Sequence, residues 1–194
     1  MKEEKIYQAP NQEIKLDKTS FDGHILDIGG GGEGVIGKLY GKDVISIDTD
    51  KNELIEASSD NSGLLRILMD ARDLNFLEKS FSKVTSFFTL MYIKSCDRRD
   101  VFDEVSRVLK DNGVFEVWDV EIPEFKEEKE EEVFLIPLKI SLPKQTIRTG
   151  YGVRWRDHSQ NANYYLTLAK KKGFSLVEKH KKDKIFHLKF KKRN

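Results

Sequence analysis

With 194 residues the chain has the size of one domain, large enough to bury a core without disulfides or a structural metal. Its 34 basic and 33 acidic side chains leave a formal net charge of +1, so the overall balance demands neither a polyanionic nor a membrane partner. The single cysteine, Cys96, excludes an intramolecular disulfide, and four dispersed histidines (His24, His158, His180 and His187) have no zinc-ligand spacing, so no metal site is expected. Residues 1–5 lack the apolar run of a signal peptide, and the uncharged stretch 84–93 is too short for a bilayer crossing. These features predict a cytoplasmic chain without a membrane segment.

From Gly23 onward, apolar runs alternate with amphipathic ones, the pattern of βαβ units around a parallel sheet. Residues 24–28 read as a first strand ending in glycines, and 33–39 as a short helix closed by Gly41. A second strand at 43–48, a helix at 51–57, a third strand at 64–69 and a fourth at 84–90 come next. Over 100–110, Val101, Val105, Val108 and Leu109 recur at helical spacing, Asn112-Gly113 is the expected stop, and 114–120 is a fifth strand. Residues 121–132 are crowded with Glu and Lys and read as a solvated loop or helix face. Residues 133–140 carry Pro137 in their middle, which predicts at most an edge strand or an interrupted one. A helix over 161–172 stopped by Gly173 precedes strands at 174–178 and 184–190, with Phe186, Leu188 and Phe190 inward and His187 and Lys189 outward.

Directly after the first strand stands Asp27-Ile28-Gly29-Gly30-Gly31-Gly32-Glu33-Gly34, which contains Gly29-x-Gly31-x-x-Gly34 at the mouth of a helix. Glycine is required where a turn takes positive φ or the backbone closely approaches a ligand. Asp48 ends the second strand about 20 residues later, where a carboxylate accepts both hydroxyls of a ribose. Asp70 closes the third strand, placed to meet an adenine amino group.

The succession Ile25-Leu26-Asp27-Ile28-Gly29-Gly30-Gly31, Ile45-Ser46-Ile47-Asp48, Met69-Asp70-Ala71 and Phe87-Phe88-Thr89-Leu90-Met91-Tyr92 resembles, in order and spacing, the cofactor motifs of class I S-adenosylmethionine-dependent methyltransferases. The segment around Arg107-Val108-Leu109-Lys110-Asp111-Asn112-Gly113 resembles the next helix and strand of that family, so the likeness covers roughly residues 23–120. It implies an α/β, Rossmann-like fold: a seven-stranded, mostly parallel sheet with the last strand antiparallel, helices on both faces and an insertion after strand 5. It implies one domain over 1–194, with a cofactor-binding half (23–120), an insertion that is a candidate acceptor lid (121–160) and a closing helix and strand pair (161–194). For S-adenosylmethionine it implies Asp27 near the methionine end with Gly29, Gly30 and Gly31 against it, Asp48 and Thr49 at the ribose, Asp70 and Ala71 at the adenine, and Thr89 beside them. A carboxylate before the first glycine suits a cationic sulfonium better than a pyrophosphate, which argues against a nicotinamide cofactor.

Amino methyltransferases of nucleobases often carry an Asn/Asp-Pro-Pro-Tyr-like turn after the fourth strand; Thr89-Leu90-Met91-Tyr92 departs from it, so base methylation is not expected. Tyr92 is a candidate for the acceptor pocket or for core packing. Within Thr149-Gly150-Tyr151-Gly152-Val153-Arg154-Trp155-Arg156-Asp157-His158, Tyr151 and Trp155 are candidate walls, Arg154 or Arg156 a candidate clamp for an acidic acceptor, and His158 a candidate proton acceptor. The competing reading is a surface hairpin turned by Gly150 and Gly152, with His158 capping the next helix. The expected acceptor is a small molecule, acidic or aromatic; RNA or protein methylation and a non-catalytic cofactor-binding module are the alternatives. The carboxyl-terminal lysines read as solvated, and Cys96 as a half-buried filler.

Overall fold

The computed structural model describes residues 5–58, 63–128 and 130–193. Two short strands that the sequence pattern does not announce come first, β1 (Ile6–Gln8) and β2 (Gln12–Lys15). The expected alternation then appears as β3 (Ile25–Ile28), α1 (Val35–Tyr40), β4 (Val44–Asp48), α2 (Lys51–Ala57), β5 (Leu65–Leu68), β6 (Phe81–Phe87), α3 (Arg98–Val108) and β7 (Leu109–Val120). After them come a hairpin of β8 (Val133–Ser141) and β9 (Thr146–Arg154), then α4 (Ala162–Lys171), β10 (Phe174–Lys182) and β11 (Ile185–Lys192).

Seven strands form one sheet in the order β10-β11-β7-β6-β3-β4-β5. The pairs among β3 to β7 are parallel, and β11 runs antiparallel to both β7 and β10, as the resemblance implies. β3 is buried along its whole length, because helices and a second layer cover both faces of a parallel sheet. Val101, Phe102, Val105 and Val108 of α3 are wholly buried, one stripe at helical spacing that packs with Tyr165 and Ala169 of α4 on one face. α1 and the second sheet cover the other face. α2 starts where the Asp50 side chain accepts from the Asn52 N–H (2.7 Å), and α4 where Asn161 accepts from Tyr164 (2.9 Å).

Three local expectations are corrected. α1 begins at Val35, not at residue 33: Gly34 takes φ 55° ahead of it, so Glu33 stays in the loop. The helix expected to reach residue 110 ends at Val108, and Asn112 (φ 63°) and Gly113 belong to an irregularity within β7, where the pairing jumps from Phe81↔Leu109 to Lys83↔Val114. β8 is neither an edge nor an interrupted strand. It is the centre of a second sheet, paired with β9 along its whole length on one side and with β1 and β2 on the other. The interruption falls on its neighbours: β1 pairs with Val133–Leu135, β2 starts at Leu138, and Pro137, which has no N–H to donate, faces the gap between them.

Phe134, Ile136, Leu138 and Ile140 of β8 point into a core shared with Trp118, Val120 and Ile122, which fuses the second sheet to the first. Trp155, 1 % exposed, lies in this core: its indole N–H donates to the Pro123 carbonyl (2.7 Å) and its ring meets Tyr7 (5.2 Å) and Phe134 (5.4 Å). His187 and Lys189 face away from Phe186, Leu188 and Phe190 as expected, but His187 is covered: it stacks on Trp118 at 4.6 Å and approaches Glu116 (3.5 Å), which also pairs with the buried Lys83. Burial opposes the Glu116 charge, yet His187 and Lys83 hold its carboxyl down to about 2. Among the described residues no helix is long and apolar enough to cross a membrane. Trp155→Ala removes a buried aromatic and leaves a cavity, so it is expected to cost about 3–5 kcal/mol of stability. Thermal denaturation of the variant should show this, with cofactor affinity unchanged well below the lowered midpoint.

Candidate active site

The carboxyl ends of β3, β4, β5 and β6 open on one cleft, and the glycine loop after β3 sets its shape. Both the Gly29 and Gly30 N–H groups reach the Ile47 carbonyl (2.8 and 3.0 Å), drawing the loop onto β4. Gly29 has φ 69°, and a Cβ there would lie 2.2 Å from Thr89. A Cβ on Gly30 would meet Asp27 Oδ2 at 2.6 Å, and one on Gly31 would meet Glu53 at 2.6 Å and Asp48 at 2.7 Å. The glycines thus let backbone and carboxylates share a space that a side chain would fill.

Asp27 sits in mid-sheet between Ser46 of β4 and Thr85 of β6, 2 % exposed, and accepts from the Thr85 hydroxyl (2.7 Å). Burial pushes its carboxyl up to about 7, against the lowering effect of Thr85. Asp48, at the end of β4, accepts from the Gly31 N–H through Oδ2 (3.2 Å) and from the Asp50 N–H through Oδ1 (2.9 Å), so its carboxylate is fixed before any ligand arrives.

Beyond Asp48 the cleft continues as a cavity of about 580 Å³ with apolar walls from Ile47, Met69, Ala71 and Ile93. Asp70 lines it, with both carboxylate oxygens held by Arg72 (Nε to Oδ1 3.0 Å, Nη2 to Oδ2 2.6 Å), while Arg72 Nη1 reaches Asp97 (3.0 Å). The Arg72 guanidinium keeps the Asp70 carboxyl below the usual carboxylate range. On the glycine side lies a second cavity of about 310 Å³, roofed by Gly150 and Tyr151 of β9 and walled by Phe87, Phe88 and Tyr92. Gly29, Asp48, Glu53, Thr89 and Tyr92 line both cavities, which are therefore two ends of one cleft.

A family model described as a methyltransferase domain matches residues 26–117, the stretch that builds this cleft from β3 into β7. The matched stretch is a little under half of the chain, and it is similar to methyltransferase domains, as the resemblance to the class I S-adenosylmethionine-dependent methyltransferases implies. The likeness implies S-adenosylmethionine as the cofactor. The fold is shared with an S-adenosylmethionine-dependent methyltransferase from Methanosarcina mazei, at 20 % identity and a TM-score of 0.69 over 92 % of this chain and 99 % of that one. It is also shared with the PH0226 protein from Pyrococcus horikoshii OT3 (21 % identity, TM-score 0.65, 88 % and 83 % covered) and with the [4+2]-cyclase SpnF (14 %, 0.64, 89 % and 76 %). No curated protein sequence matches the chain.

The fold brings together at the cleft Asp27, Gly29, Gly30, Gly31, Asp48, Thr49, Asp70, Ala71 and Thr89, all drawn from the motifs that carry the resemblance. Of the acceptor candidates, Tyr92 and Tyr151 also line it. Burial raises both phenols well above their ordinary value, with Asp119 adding for Tyr92 and Glu33 for Tyr151, so each is a neutral hydroxyl and not a phenolate base. Trp155 is not a wall: it is buried in the core behind β9. Arg154 and Arg156 are exposed and outside the lining of either cavity, and Arg156 lies over the Phe125 ring (5.1 Å). His158 is also outside, its Nδ1 against the Arg156 carbonyl (2.7 Å), and it does not cap α4, which Asn161 does. Gly150 and Gly152 lie within β9, not at turns. Cys96 is exposed, its thiol donating to Asp97. Among the described residues no His/Cys/Asp/Glu group could hold a metal ion.

Three lining residues escape the sequence reading. Glu33 reads there as a helix start, yet it accepts from the Tyr151 hydroxyl (3.0 Å) and from the Thr149 hydroxyl. A charged residue inside a run of glycines was the available signal. Phe88 (φ 51°) stacks on Tyr151 at 5.4 Å, and Arg72 clamps Asp70; neither position has a pattern of its own.

The raised Asp27 has a consequence for stability. In the unfolded chain it ionises near its ordinary 3.8, while in the folded one it holds its proton to about 7, so its contribution is full below pH 4 and is lost as pH rises through 7. Asp119, also pushed up to about 7 by burial, acts in the same sense. Asp27→Asn is expected to flatten the fall in melting temperature between about pH 4 and 7, measured without ligand across that range; an unchanged slope would refute the assignment.

Proposed function

We propose that the enzyme methylates a small molecule held in the cavity between the glycine loop and β9. One observation carries this reading: the second sheet closes onto the glycine loop through Thr149, Tyr151 and Glu33, so that Gly150 and Tyr151 cover one side of a half-open space of about 310 Å³. Such a space has the size of a small-molecule pocket.

The residues present fit the cofactor. The cradle that a Cβ would fill at Gly30 and Gly31 accepts a ligand against the backbone, and the fixed Asp48 carboxylate is placed to receive two ribose hydroxyls. Thr49 stands beside Asp48, and Met69, Ala71 and Ile93 offer apolar walls to an adenine whose amino group meets the Asp70 carboxylate, oriented by Arg72. Asp27 faces the cationic end, close to Gly29, Gly30 and Thr89. When bound, S-adenosylmethionine supplies a methyl group already activated on a sulfonium. The chain then has to align the acceptor with it and exclude water. Tyr151 and Phe88, stacked on one another, form the lid side of that enclosure, and Tyr92 its outer wall.

Calorimetric titration with S-adenosylmethionine, S-adenosylhomocysteine and NAD tests the cofactor half: the first two should bind and NAD should not. Asp48→Ala should weaken S-adenosylmethionine by about tenfold or more, the loss of a charge-assisted hydrogen-bond pair, with little change in melting temperature. Turnover of a small-molecule panel tests the acceptor half; methylation of RNA or protein with steep salt dependence would overturn it.

A further inference from the structure

The roofed cavity has an uneven charge. Its lining contains the carboxyl groups of Asp27, which burial pushes up to about 7, and of Glu33, Asp48, Glu53 and Glu56, and no lysine, arginine or histidine. A bound S-adenosylmethionine adds only one net positive charge, because the methionine ammonium and carboxylate cancel. Asp27 and Asp48 lie where that ligand is proposed to bind; Glu53 and Glu56 are exposed and screened by solvent. Glu33 differs from all of these. It is half-buried, and the groups that donate to its carboxylate are two neutral hydroxyls, those of Tyr151 and Thr149. Lys38 reaches only the Glu33 backbone carbonyl, and no ion pair to the Glu33 carboxylate exists among the described residues. The crowding of negative charge is visible at Glu53, whose carboxyl is raised first by burial and then by Glu56, Asp48, Asp50 and Glu33.

Tyr151 touches this carboxylate, Phe88 stacks on Tyr151 at 5.4 Å, and the rings of Phe87 and Tyr92 line the same cavity. A carboxylate without a cation, flanked by aromatic faces in a partly closed space, attracts an ammonium by charge and by cation–π contact. The same lining repels an acid, so this reading departs from the acidic acceptor that Arg154 and Arg156 suggested.

We propose that the acceptor is a primary or secondary amine on an apolar body, and that Glu33 is the residue that binds its ammonium and takes its proton. This rests on the small-molecule methyltransferase reading above. The ammonium docks on Glu33, held in position by Tyr151 and Thr149, and passes one proton to the Glu33 carboxylate. The freed nitrogen lone pair forms the bond to the methyl carbon, and the carbon–sulfur electron pair stays on sulfur, which becomes the neutral thioether of S-adenosylhomocysteine. The new N-methylammonium carries the positive charge, and Glu33 returns its proton to solvent on product release.

The test uses three probes of one shape and different charge, phenethylamine, 2-phenylethanol and phenylacetate, titrated calorimetrically into the protein saturated with S-adenosylhomocysteine. Phenethylamine is expected to bind at least about tenfold tighter than either of the others, and Glu33→Gln to abolish that preference while S-adenosylhomocysteine still binds. Methyl transfer to phenethylamine should fall in the same variant. Equal binding of the three probes to the wild type, tighter phenylacetate, or a Glu33→Gln protein that keeps the preference would overturn the proposal. Should that variant fail to fold, the probe series on the wild type decides by itself. Failure of S-adenosylhomocysteine to bind the wild type would instead sink the cofactor placement, so the two readings fall by different results.

Discussion

Between Ile28 and Val35 the backbone runs closer to its neighbours than a side chain permits, with Thr89, Asp27, Ser46, Asp48 and Glu53 all standing where a Cβ would go. That close approach is what brings β3, β4 and β6 to a common edge, with Asp27 of β3 and Asp48 of β4 facing one space. The Ile47 carbonyl, receiving both the Gly29 and Gly30 N–H groups, anchors the loop to β4, and Thr89, donating to the Ile28 carbonyl (3.0 Å), anchors it to the segment after β6. The cofactor end of the cleft is therefore built chiefly from backbone, with side chains of fixed direction added at Asp48 and Asp70. Such a site is preorganised by the fold and needs little ordering when a ligand arrives.

Most of the main sheet was legible because its signals are local. Apolar runs buried on both faces, helices with one apolar stripe and glycines at a strand end each show themselves within a dozen residues. What was not legible depends on partners far along the chain. β1 and β2 have 3 and 4 residues, too short to show a period, and exist because β8 offers them an edge. Pro137 argues locally against a central strand, but the gap between two neighbours removes the objection, which no reading of residues 133–140 alone could reveal. Trp155 and Arg154 looked like binding residues because aromatic and basic side chains near glycines often are. Strand alternation in β9 puts Tyr151 and Val153 on its inner face, Tyr151 at the cleft, and Trp155, just beyond the strand, continues that face into the core between the two sheets.

Charge shows a similar loss of information. A net charge near zero conceals that the acids are concentrated at the cleft, while basic side chains near the carboxyl terminus pair elsewhere, as Lys189 does with Glu178 (2.9 Å) and Lys181 with Glu121 (2.7 Å). Composition averages over the surface, and a ligand meets only one part of it. The Arg98 side chain illustrates the same point within the core. Wholly buried, it donates to the carbonyls of Ile93 (2.9 Å), Ser159 (2.9 Å) and His158 (3.3 Å), and so ties the turn after β6 to the approach to α4.

The pairing of β1 and β2 with β8 also sets an order in time. Ile6 finds its partner at Val133 and Gln12 at Leu138, so β1 and β2 leave the ribosome before their neighbour and stay without it until the chain has grown past β3 to β7. By then β3 to β7 are available to pair with one another through short connections, whereas closing the second sheet spans most of the sequence and carries the larger loop entropy. Synthesis thus completes the floor of the cleft before its roof. A nascent chain reaches a stage at which the end of the cleft between Asp48 and Asp70 is assembled while the aromatic cover from β9 has still to be made.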